Sequence, residues 1–305
     1  MNPASKQHIV FIHGRGAKPD KDALHAMWKD ALTAGLQRDF PKKVKSFQNT
    51  AASMVYYADQ LRSFDEPGFD QILDLENRRQ ALDELSSRTK ARDFRRKHYD
   101  VLPGKSPLKE FAMDLTASLG LGRAAIKKAM PELSYYWQDH QGWASNLQSQ
   151  LATQLRDLMA ADQNVLIISH CMGSVLAWDG LWRLTQDERQ AGTQLKRITR
   201  WITIGSPLGA RAVQSRLNGR GQSSAERFPG VLNAWHNIAA EDDYVCHDKT
   251  VADDYAEMLD QRLIGDIRDH MIYNLSVRYG RSNPHSSVGY LIHPRTAQLL
   301  ADWLD

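Results

Sequence analysis

The chain has 305 residues, 42% hydrophobic and 25% charged, with a formal net charge of +3 at pH 7. That is the ordinary balance of a soluble globular protein, and one large α/β domain spanning residues 1–305 is the expected organisation. The charge is too small to imply a nucleic-acid partner, and no run of about 18 apolar residues is present to form a transmembrane segment. Two cysteines, Cys171 and Cys246, do not make a disulfide framework, so a reducing cytoplasm is the expected setting. No basic region precedes the first apolar run, which argues against a signal peptide.

Residues 8–12 (HIVFI) form a short apolar strand that ends in His13-Gly14-Arg15-Gly16. Read alone, the two glycines are a tight turn. The spacing of Leu24, Met27, Trp28, Leu32 and Leu36 predicts a helix over 20–36. Residues 53–58 (SMVYYA) read as the next strand. Strand, helix, strand predicts a parallel sheet.

Residues 59–132 break this rhythm. The stretch 78–97 is dense in Arg and Lys, and is expected to be a solvated helix face with i,i+4 pairs rather than an anion-binding surface. Residues 101–107 (VLPGKSP) read as a loop, and 111–130 as a mildly amphipathic segment interrupted by Gly120 and Gly122. An insertion of this size has no role in a sheet. A cap over an active site ranks first, ahead of a dimer contact or a membrane-surface contact.

Residues 133–137 read as a short strand or helical turn, and 139–160 as a helix with Trp143, Leu147, Leu151, Leu155 and Leu158 on one side. Residues 165–168 are a fully buried strand by their unbroken apolar run. The strand runs into Ser169-His170-Cys171-Met172-Gly173, and 174–184 continue at helical spacing. Strand, sharp turn and helix with a nucleophilic side chain at the apex is the layout of a nucleophile elbow. Small residues suit the positions two before and two after the apex, and Ser169 and Gly173 meet that need. The bland alternative is a small core cysteine.

Residues 197–204 are the next strand, followed by Gly205-Ser206-Pro207-Leu208-Gly209, with Ser206 read as a turn residue. Residues 217–229 are loop. Residues 232–239 form a strand ending in Glu241-Asp242-Asp243-Tyr244-Val245, where both aspartates could simply cap a following helix. Residues 271–277 read as a late strand, then come Asn283-Pro284-His285-Ser286-Ser287 and a terminal helix over 291–303.

The elbow resembles the G-x-S-x-G turn of the α/β-hydrolase superfamily, with a thiol where most members carry a hydroxyl. The resemblance covers most of residues 8–303 apart from the insertion. It implies an α/β-hydrolase fold, a mostly parallel sheet flanked by helices, with 59–132 as a helical cap. It implies Cys171 as nucleophile, Asp243 as acid (Asp-x-Val being similar to the D-P-V of the family) and His285 as base, the superfamily's chain order. Asp242 and His293 are the runners-up. His13-Gly14-Arg15-Gly16 resembles the oxyanion loop, so the N–H groups of Arg15 and Met172 would bind the oxyanion. The Arg15 side chain is expected in solvent rather than on an anionic substrate group. Cys246 is expected to be passive, able to pair with Cys171 only if the two approach.

The resemblance thus implies a hydrolase of carboxylic esters or thioesters, with a small-molecule acyl substrate, no cofactor and no metal. The thiol leaves alternatives: a native cysteine enzyme, a serine enzyme with a substituted nucleophile, a non-hydrolytic acyltransferase, or a silent protein of this fold that binds a partner. The substrate and the oligomeric state, a homo-oligomer included, stay open.

Overall fold

The computed structural model of the chain describes residues 6–65, 68–104, 130–193, 196–243, 245–246 and 248–305. Six strands, β1 (Gln7–Ile12), β2 (Ala51–Val55), β3 (Asn164–His170), β4 (Arg200–Ile204), β5 (Ala234–Ala240) and β6 (Asp266–Ile272), form one sheet in the order β2-β1-β3-β4-β5-β6. Every neighbouring pair is parallel. The helices that position the site are α1 (Lys21–Asp39), α2 (Gln71–Ser86), α3 (Pro131–Gln138), α4 (Trp143–Ala160), α5 (Met172–Ala191), α6 (Ser287–Leu291) and α7 (Pro294–Trp303).

Successive strand residues alternate between the two faces of the sheet. Val10, Ile12, Val165, Ile167, Trp201 and Trp235 pack with α4 and α5 on one face. Ile9, Phe11, Leu166, Ile168, Ile202 and Ile204 pack with α1 and α7 on the other. With both faces covered, β3 can be apolar without a break, and Val165–Ile168 are all fully buried. The order has one switch point. From β1 the chain steps outward to β2, then crosses back to β3 on the other side of β1. In open parallel sheets the crevice at such a point, beyond the carboxyl ends of the strands, is where ligands bind.

Several elements differ from the sequence reading. β2 starts two residues early and releases Tyr56 and Tyr57, whose rings pack on His13. Residues 133–137 are helical, within α3. The helix expected from 139 starts at Trp143, because Asp139, Gln141 and Gly142 all adopt left-handed backbone. β6 begins at Asp266, five residues before the strand read from 271; its charged residues hid it, as an edge strand tolerates them. The terminal helix is split in two at His293-Pro294.

The described part of the insertion adds no strand to the sheet. The segment 111–130 lies, except for Met130, outside the described residues, so no cap is placed by it. Arg78 is not on a solvated face: it is 8% exposed, with Nε 2.6 Å from the buried Asp74. Among the described residues no helix is long and apolar enough to cross a membrane.

The Trp201 and Trp235 rings stack at 4.8 Å between adjacent strands, and the Trp201 indole donates to Ser169 Oγ at 2.8 Å. Trp201→Ala should cost about 3–5 kcal/mol of stability. A urea titration reads this as a lowered midpoint; an unchanged midpoint would contradict the placing of this pair at the centre of the core.

Candidate active site

Cys171 stands at the turn between β3 and α5 with φ 54° and ψ −126°, a conformation that costs a non-glycine residue about 1–3 kcal/mol. Its flanks explain how the turn is tolerated. A Cβ on Gly173 would lie 2.4 Å from the His13 carbonyl oxygen and 2.6 Å from that of Ile12. Ser169, the other flank, hydrogen-bonds Ser174 at 3.0 Å, and both are fully buried. The elbow therefore seats directly on the end of β1.

His285 lies in the loop before α6. Its Nδ1 is 2.8 Å from Asp243 Oδ2 and 3.0 Å from Oδ1. Asp243, after β5, is buried and takes two further donors, the Val245 amide at 3.0 Å and the Tyr290 hydroxyl at 2.6 Å. The other face of the ring meets the thiol. His285 and Cys171 interact strongly enough for each to favour the charged form of the other. Nε2 is buried without a hydrogen bond of normal geometry, and catalytic contacts of this kind are often long before substrate is bound. Burial opposes charge on the imidazole, but Asp243 and then Cys171 outweigh it and hold the ring's pKa up at about 10. Burial likewise pushes the thiol up, and the His285 ring, the Arg15 side chain and the Arg15 amide together bring it below its ordinary value. The result is a site disposed to a thiolate–imidazolium pair.

The Arg15 amide is thus turned onto the sulfur. The Arg15 guanidinium does not point to solvent: Nη1 is 3.0 Å from Glu132 Oε2 on α3, tying the loop after β1 to the far end of the insertion. Met172 is the first residue of α5, so its amide is one of the helix's unpaired terminal donors beside the apex.

Of the runners-up, Asp242 accepts from the Tyr99 hydroxyl, away from His285. His293 is the N-cap of α7, accepting from the Arg295 amide at 3.0 Å with its ring edge-on to Phe94. Cys246 is buried and reduced, with Sγ 3.8 Å from the Tyr290 hydroxyl. Ser206 Oγ accepts from the Leu208 amide at 3.3 Å, a turn contact.

Sequence reasoning missed several residues that build the site. His170 donates from Nε2 to the His285 carbonyl at 3.0 Å, and the two rings lie 4.6 Å apart. Burial and the neighbouring His285 press its pKa well below the ordinary range, so it stays neutral. Asn274 donates to both Pro284 and Ser286 carbonyls at 2.9 Å, bracketing His285. Gly205, at φ +57°, has backbone that favours glycine, and a Cβ there would crowd Asp243 Oδ2 at 3.1 Å and His285 Cε1 at 3.2 Å. Tyr290 carried a signal, its place in the H-S-S-x-x-Y run; Asn274 carried none.

Among the described residues no group of three or more His, Cys, Asp or Glu could hold a metal ion. In comparisons with protein-family models, curated proteins and solved structures, nothing matches the chain.

The coupled pair predicts a pH profile. The rate of Cys171 alkylation by iodoacetamide should rise through a midpoint below the ordinary thiol value, while His285 keeps its proton to about pH 10. Burial and the Asp243 charge push Cys246 well above its ordinary value, so at pH 7 it should react at least about ten-fold more slowly. Equal rates for the two thiols, read by peptide mass mapping, would contradict the pair.

Proposed function

We propose that the protein has an α/β-hydrolase-like fold and is a cysteine hydrolase of carboxylic esters or thioesters. The observation that carries this reading is the line from Asp243 through His285 to Cys171, drawn from the ends of three different segments to the carboxyl edge of one parallel sheet. The Arg15 amide on the sulfur and the helix start at Met172 support it further.

In this reading the Cys171 thiolate, its proton already held on the His285 imidazolium, attacks the acyl carbonyl carbon. Charge moves to the carbonyl oxygen, which the Arg15 and Met172 amides receive; each such donor contributes about 3 kcal/mol in comparable sites. The tetrahedral species collapses, the bond to the alcohol or thiol breaks, and the imidazolium protonates that leaving group. The product is an S-acyl enzyme. Water, deprotonated by His285, then attacks the thioester carbon. The carboxylic acid leaves, and the sulfur is expelled as the thiolate beside the imidazolium of His285, which restores the starting pair. Asp243, held by Tyr290 and Val245, keeps the imidazole in the right tautomer and offsets its charge.

An acyl-ester and acyl-thioester panel of graded chain length tests the proposal. Cys171→Ala and His285→Ala should each lower kcat/KM by about a thousand-fold or more, and Asp243→Asn by less. Full activity in Cys171→Ala would refute it. Cys171→Ser separates a native thiol enzyme, which should lose rate, from a serine enzyme with a substituted nucleophile, which should gain it.

A further inference from the structure

The loop between β1 and α1 has its oxygens gathered on one side. Lys18 Nζ donates to the carbonyls of Arg15, Gly16 and Ala17, at 2.9 Å for Gly16 and 3.3 Å for Ala17. Arg78 Nη2 on α2 also donates to Ala17 O, at 3.3 Å. One unit upstream, the Gly14 carbonyl accepts from His13 Nδ1 at 2.8 Å. Four successive carbonyls are therefore claimed by side-chain donors. There are no cis peptide bonds among the described residues, and in a trans unit the N–H points opposite to the oxygen. The first of these N–H groups, that of Arg15, is the one on the Cys171 sulfur.

Three carbonyls on one nitrogen favour its charged form. An ammonium has a proton for each, whereas a neutral amine has two. Around Lys18 stand Arg78 on α2, Arg278 on the β7 (Val277–Arg278) and β8 (Arg281–Ser282) hairpin, Glu132 on α3, Asp65, the imidazoles of His13 and His170, and Cys171 itself. Asp74, the buried carboxylate of this cluster, is taken by Arg78 and Arg278.

We propose that Lys18 is a positioning residue of the site: its ammonium holds the carbonyls of residues 15–17, fixing the stretch of loop that directly follows the Gly14–Arg15 peptide unit whose N–H lies on the nucleophile, and its charge lies within Coulombic reach of the Cys171 sulfur. This rests on the hydrolase reading, since an oxyanion is what the amides are held for. Lys18 need not touch substrate. Its effect therefore falls on the step in which charge develops, not on binding. Burial, then the Arg78 charge, lower its pKa well below that of an ordinary lysine. The ammonium is present below that value and lost as pH rises through it, which gives kcat an alkaline limb that a permanently charged guanidinium would not show.

The test uses full-length Lys18→Met and Lys18→Arg, with folding checked by near-ultraviolet circular dichroism. In Lys18→Met, kcat on the best acyl ester should fall at least about ten-fold with KM within about three-fold. The pH midpoint of Cys171 alkylation should move up. Lys18→Arg should recover most of kcat and lose the limb due to Lys18, keeping only the fall near pH 10 where His285 loses its proton. A folded Lys18→Met with the wild-type kcat and alkylation midpoint would overturn the proposal, as would a loss confined to KM. If Lys18→Met does not fold, Lys18→Arg decides: an alkaline limb identical to the wild type overturns the proposal. A wild type that hydrolyses no ester, with the midpoint still shifted in Lys18→Met, would sink the hydrolase reading and support the coupling of Lys18 to Cys171.

Discussion

Between the ends of β1 and β3 the backbone passes closer to itself than any side chain would allow. Gly173 lies against the carbonyls of Ile12 and His13, and a Cβ on Gly14 would come within 2.7 Å of Cys171 Cβ. The parallel register that pairs Ile12 with Ser169 brings the two strands to an end side by side. The connections from those strands then leave in opposite directions, the arrangement at which ligands bind in open parallel sheets. Every other feature of the site depends on this approach. It sets the Arg15 amide on the sulfur, it forces Cys171 into its positive φ, and it starts α5 directly beneath the thiol.

A buried polar centre of this density needs each imidazole in a defined state. His13 donates from Nδ1 to Gly14 O and accepts the Tyr57 amide at Nε2, at 3.0 Å; burial and then the Lys18 charge lower its pKa to about 3. His170 is neutral for similar reasons and serves as a donor to the backbone of the neighbouring loop. His285 is the exception, because it alone faces a carboxylate on one side and a thiol on the other. Three histidines within one centre are thus driven to different charge states by what stands beside them. In the proposed hydrolase, that separation leaves one ring to move protons while the other two hold geometry.

The parallel sheet was legible because both faces are buried, which writes apolar runs into β1, β3 and β4. The turn at Cys171 could be read because it ends such a run, whereas Asp243 and His285 were singled out through the family resemblance. The choice of Asp243 over Asp242 rested on a two-residue pattern, and the hydrogen bonds to His285 fall on Asp243. What the sequence hid has a common cause. Arg15, Lys18, Arg78 and Asp74 look like solvated charges in one dimension, and only the fold brings segments from the β1 loop, α2, α3 and the hairpin into one cluster. Asn274 and Gly205 act through backbone contacts that leave no periodic trace. β6 was read late because an edge strand keeps its charged residues.

The central claim is that acyl groups pass through the sulfur of Cys171. Rapid quenching of the protein with a chromogenic acyl ester, followed by peptide mass mapping, tests it most directly. The account predicts an adduct of the acyl mass on the peptide containing Cys171, labile to hydroxylamine, that accumulates in His285→Ala if acylation persists there and is absent in Cys171→Ala. Turnover of the ester with no acyl mass on that peptide at any quench time, and undiminished in Cys171→Ala, would contradict it.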